Sequence, residues 1–96
     1  DHFIIGLSNR TNKTGAINLS KLLISLGATV SICQTPNDVL HFKSECSLVD
    51  DDVILVSNKM AQLESLKKNY SLIKLPIGEE GAANSLRIND KLIIVD

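Results

Sequence analysis

One pattern in this sequence occurs twice, and it restricts the fold more than any other feature. The segment Glu45–Val49, the acidic turn Asp50-Asp51-Asp52 and the segment Val53–Ser57 superimpose, at an offset of 39 residues, on Asn84–Ile88, Asn89-Asp90 and Lys91–Val95. Val49 meets Ile88, Asp51 meets Asp90, and Val53–Val56 meets Leu92–Val95. Both copies read as two apolar strands folded about a polar turn. A period of this size marks an array of like supersecondary units. A unit of hairpin, helix and strand has an apolar sheet face and an apolar helix stripe that one copy cannot cover. The expected architecture is therefore α/β, with more copies closing on one another as in an α/β propeller. The sequence carries two ββαβ-type pseudo-repeats, about 3–56 and 45–95, within a single 1–96 segment. Neither an initiator Met nor a turn after the last strand-like run is present, so the chain reads as a segment of a larger domain.

Between the hairpins the periodicity is helical. Phe3–Ser8 reads as a buried strand, and Ala16, Leu19, Leu22, Leu23 and Leu26 then recur at three- and four-residue spacing. Asn12 or Thr14 serves as N-cap and Gly27 as the stop. Ala28–Cys33 reads as a second strand, and a strand, helix, strand order calls for parallel pairing. The turn Thr35-Pro36-Asn37-Asp38 leads into an extended Val39–Ser44. After the first hairpin a second helix is expected, capped by Ser57 or Asn58, with Met60, Leu63, Leu66 and Tyr70 on one face. Its exit strand, Ser71–Leu75, ends at Pro76.

Composition narrows the function classes. Ten basic residues against eleven acidic ones, with one Tyr and two Phe, supply neither the basic excess nor the stacking platform of a nucleic-acid binder. Apolar runs such as Val53–Val56 are far shorter than the roughly 20 residues of a membrane span. Asp1 and His2 stand where a signal peptide would have its positive start, so these residues are not expected to form one. Cys33 and Cys46 are too few for a zinc or disulfide framework, which makes a reducing cytoplasm the expected location.

Three motifs in order carry a resemblance: Ile5-Gly6-Leu7-Ser8-Asn9-Arg10-Thr11-Asn12-Lys13-Thr14-Gly15-Ala16, then Leu40-His41-Phe42-Lys43-Ser44-Glu45-Cys46-Ser47, then Ala82-Ala83-Asn84. Together they resemble the dimethylarginine dimethylaminohydrolases, over nearly all of the chain. Those enzymes are penteins, propellers of five ββαβ modules, and the resemblance implies that this chain forms about two of them. It implies hydrolysis of a methylated arginine at its guanidine carbon, giving citrulline and dimethylamine through a covalent Cys intermediate, with no cofactor or metal. His41 matches the family's general acid and base, and Arg10 the residue that grips the substrate α-carboxylate. The family's nucleophile and the carboxylate that orients its His have no counterpart in these residues. The implied partners are a small guanidino substrate and either the remaining modules of the same protein or a second copy of the chain.

The chemistry fits these residue types. A guanidinium carbon is poorly electrophilic, so attack needs a thiolate and expulsion of the amine needs a proton delivered to nitrogen. Histidine transfers protons near neutrality because its unperturbed pKa is about 6.5. The planar fork of Arg10 takes a carboxylate with two hydrogen bonds. Cys46 lies five residues from His41, but alternation through Glu45, Cys46, Ser47, Leu48 and Val49 makes it a packed strand residue, and Cys33 reads as core. Asp50 to Asp52 diverge in a tight turn and form no cage for a hard cation. Gly78-Glu79-Glu80-Gly81 is glycine-flanked yet acidic, so it reads as a loop and not as a phosphate cradle. Arginine deiminase or amidinotransferase chemistry is the alternative enzyme reading, and an inactive, self-associating binding module is the non-enzyme one.

Overall fold

Parallel strands need a crossover, and the chain up to Phe42 provides one in its simplest form. The computed structural model describes residues 2–94. Strand β1 (His2–Leu7) pairs in parallel with β2 (Thr29–Gln34), from His2 opposite Thr29 to Leu7 opposite Gln34, and helix α1 (Lys13–Ser25) connects them. Asn12 rather than Thr14 is the cap: its side-chain oxygen accepts the Gly15 N–H at 2.6 Å, satisfying a donor that the first helical turn leaves open. Gly27 ends the helix at φ +93, a left-handed conformation that costs a residue without a Cβ almost nothing. The apolar stripe of α1 is covered only in part. Ala16 is buried, whereas Leu19, Leu22 and Leu26 are 45, 57 and 76% exposed. Two strands are too narrow to cover an apolar stripe about 100° wide.

From Lys43 onward lies a second compact unit. Strands β3 (Cys46–Asp50), β4 (Val53–Val56) and β5 (Ser71–Lys74) form one sheet in that order, β3 antiparallel and β5 parallel to β4. Strands β6 (Ser85–Ile88) and β7 (Lys91–Ile94) form a separate antiparallel hairpin. Val95, which the sequence pattern adds to the last strand, lies outside the described residues. Ile54, Leu55 and Val56 are all buried, as a central strand packed on both faces requires.

The two hairpins differ by one residue. Val49 bulges between the pairs Leu48 with Ile54 and Asp50 with Val53, while the second hairpin runs regularly to Ile88 with Lys91 and turns through Asn89 at φ 54. Cys46 aligned with Ser85 gives the offset of 39, but their partners Val56 and Ile94 give 38. The bulge absorbs the difference, so Asp52 and not Asp51 is the counterpart of Asp90.

The second helix is not continuous. A 3-10 turn (Met60–Gln62) is followed by Leu63 in an extended conformation, φ −70 and ψ 124, and then by α2 (Glu64–Asn69). Met60 and Leu66 are both 0% exposed. In an unbroken helix they would point about 120° apart at 3.6 residues per turn. The break at Leu63 lets both side chains be buried.

A buried hydroxyl joins the hairpins. Ser47 Oγ accepts the Ser85 N–H and the Lys43 ammonium, each at 2.9 Å, and donates toward the carbonyls of Ala83 and Ser85. At the turn end, Arg87 Nη1 contacts Asp51 at 3.2 Å and Nη2 contacts Asp50 at 3.8 Å. Ser47→Ala leaves the Ser85 N–H unpaired in a buried site and should destabilise the chain by about 1–3 kcal/mol. Asp51→Ala, at an exposed pair, should cost at most about 1 kcal/mol. Urea denaturation of both variants checks the order, and equal losses would contradict the hub.

Candidate functional site

Because β1 and β2 run in the same direction, the loops that follow them emerge at one edge of the pair. The first loop closes as a turn, with the Thr11 N–H on the Ser8 carbonyl and the Arg10 N–H on Ser8 Oγ, both at 3.1 Å. The second is anchored at its base by Thr35, whose N–H and hydroxyl each donate to the Leu7 carbonyl at 2.8 Å. Its buried Val39 donates an N–H to the Pro36 carbonyl at 3.0 Å. Ser8 Oγ then crosses between the loops and donates to the Leu40 carbonyl at 2.7 Å.

Arg10 and His41 thus lie on neighbouring loops at the same edge, both with exposed side chains. His41 is flanked by two constrained neighbours. Leu40 is tied to Ser8, and Phe42 packs against β1 so closely that a Cβ on Gly6 would lie 2.7 Å from its side chain. The segment before β3 is not extended as its sequence suggested: Phe42–Glu45 forms a 3-10 turn. With Phe42 seated on Gly6 the chain coils tightly at once. Sequence reasoning did not single out Gly6, Ser8 or Phe42. A glycine inside an otherwise Ile-rich strand was the available signal, since it marks close approach of another group.

The other candidates occupy structural positions. Cys46 lies in β3 and is buried, while Cys33 in β2 is only half-buried, less enclosed than expected; neither is part of a disulfide. Asp50 accepts the Asp51 N–H at 2.8 Å, and both carboxylates face Arg87. Among the described residues no three His, Cys, Asp or Glu side chains gather as metal ligands. In the glycine-flanked loop, Gly78 has φ +94 and its N–H donates to Glu80 Oε2 at 3.0 Å. Backbone N–H groups of Glu80 itself and then of Gly78 hold the Glu80 carboxyl below the usual carboxylate range, with a further pull from Lys59. That bracing is present at neutral pH and is lost as pH falls through the lowered pKa. Glu80 also lines a polar cleft with Glu45, Ser57, Asn58 and Lys59.

No family model matches the sequence. It is 29% identical over 94 residues to the N(G),N(G)-dimethylarginine dimethylaminohydrolase of Pseudomonas aeruginosa, a match covering 98% of this chain and 36% of that enzyme. A solved structure of the Pseudomonas aeruginosa enzyme, a cysteine-to-serine mutant complexed with citrulline, superimposes with a TM-score of 0.88 at 28% identity, over 97% of this chain and 36% of that one. The chain has the fold of part of a dimethylarginine dimethylaminohydrolase. A histidine-to-glycine dimethylarginine dimethylaminohydrolase, solved as its adduct with S-methyl-L-thiocitrulline, gives a TM-score of 0.87 at 27% identity, over 97% and 36% of the two chains. The chain therefore spans about a third of the length of the dimethylarginine dimethylaminohydrolases it matches. The α/β architecture expected from the repeat, part of the fold of these enzymes, is the one observed.

Gly6→Ala should force Phe42 off β1 and cost about 1–3 kcal/mol by overpacking. A thermal melt measures the loss. An amide spectrum should show shifts that extend to His41, and shifts confined to β1 would contradict the seating of Phe42.

Proposed function

We propose that these residues supply part of the active site of a hydrolase acting on the guanidine carbon of a methylated arginine. The observation that carries the reading is the joining of the Arg10 and His41 loops through Ser8, in a chain that matches a dimethylarginine dimethylaminohydrolase solved with citrulline. In this reading Arg10 takes the α-carboxylate of the substrate through its two-pronged fork. A Cys thiolate from outside these residues attacks the guanidine carbon. His41 delivers a proton to the departing nitrogen, so that dimethylamine leaves as the neutral amine. It then takes a proton from the water that attacks the S-alkyl intermediate, and citrulline and the free thiol result. The substrate is a small guanidino amino acid. A reducing cytoplasm suits two cysteines that form no disulfide, and no helix among the described residues is long and apolar enough to cross a membrane.

A second reading rests on the exposed Leu19, Leu22 and Leu26 of α1: a module without turnover that associates with another copy through its uncovered apolar surface. The 96-residue chain assayed alone should release no citrulline from dimethylarginine, because general acid and base help contributes only about 10² to 10⁴ in rate. Activity on adding the segments that complete the fold supports the hydrolase, and a stable, inactive dimer supports the module. Turnover by the chain alone that vanishes in Cys46→Ser would revive a Cys46 nucleophile. In the assembled enzyme, His41→Ala should lower kcat by about 10² or more with little change in stability. Arg10→Lys should raise KM more than it lowers kcat, since a lysine cannot reproduce the two-pronged grip. An unchanged KM would count against the carboxylate clamp.

A further inference from the structure

Ser8 stands between the two residues assigned to substrate, and its own role rests on that assignment. Its hydroxyl is engaged on both sides, donating to the Leu40 carbonyl at 2.7 Å and accepting the Arg10 N–H at 3.1 Å. The Leu40 carbonyl belongs to the peptide group that leads into His41, and the N–H is that of Arg10 itself. One short side chain therefore holds the backbone of the proposed carboxylate grip against the backbone of the proposed proton carrier. Below it, Thr35 and Gln34 fasten the base of the second loop to the Leu7 carbonyl. Within the run from Thr35 to Leu40 the Val39 N–H closes a turn on the Pro36 carbonyl, and Ser8 ties the far end of the run to the first loop. Water can satisfy either partner of an absent hydroxyl separately, but it does not set a distance between them.

We propose that Ser8 is a positioning residue that fixes the separation between Arg10 and His41. A substrate clamped at its carboxylate end presents its guanidine to His41 at a distance set by the two loops, and misplacement by about 1 Å costs up to roughly 10² in rate. Loss of Ser8 should therefore act on kcat more than on KM, because the contact of Arg10 with substrate survives.

The test compares Ser8→Ala and Ser8→Thr in the protein as its gene encodes it. Ser8→Ala should lower kcat about tenfold with KM within roughly threefold, and Ser8→Thr, which keeps the hydroxyl, should restore most of the loss. In a His41→Ala background Ser8→Ala should add nothing, because it acts through His41. Independently of turnover, the Arg10 amide should lose protection from hydrogen exchange in Ser8→Ala and the His41 amide resonance should move, with the amides of α1 unchanged. Unaltered Arg10 protection, a threonine variant as impaired as the alanine one, or an equal loss in both backgrounds would overturn the role of Ser8. Those outcomes leave the hydrolase reading intact while His41→Ala remains impaired. If His41→Ala turns over normally, the hydrolase reading falls and takes the positioning role with it.

Discussion

The parallel register of β1 and β2 is the constraint on which the candidate site depends. With Leu7 opposite Gln34, the two strands end level, and the chain leaves both at the same edge. The Leu7 carbonyl, last in its strand, takes up the N–H and hydroxyl of Thr35 and the amide of Gln34. A slip of one residue would turn every side chain of a strand to the other face and move these anchors out of reach. The loops that carry Arg10 and His41, far apart in sequence, become neighbours through this register.

The second unit solves a different problem with the same elements. Its hairpins are not joined through a shared ladder, so something else must satisfy the polar groups where β3 meets β6. Ser47 does so with a single hydroxyl, and Arg87 closes the opposite end against Asp50 and Asp51. The two contributions differ in kind: the first is buried and compulsory, the second exposed and weak.

Repetition in the sequence has a cost in regularity. The Val49 bulge means that the copies keep register along one strand and lose it by one residue along the next. Extra residues at such points bend a strand and sharpen its twist, which lets like units differ in shape while sharing a pattern.

Much of the local structure was legible in the sequence because local forces set it. The apolar period of α1, its Asn12 cap, the Gly27 stop, the parallel pairing of β1 with β2 and both hairpins follow from residue type and spacing. So does the placing of Cys46 inside a strand. The motifs that contain Arg10 and His41 were visible as well, since motifs are local strings. Tertiary structure decided the rest. Leu63 leaves the helix because Met60 and Leu66 must both be buried, a demand that no single turn expresses. Phe42–Glu45 forms a 3-10 turn where Phe42 rests on Gly6; a glycine among isoleucines signals a close approach, but not which residue makes it. The tie from Ser8 to Leu40 spans 32 residues, and only the folded chain brings donor and acceptor within hydrogen-bonding distance.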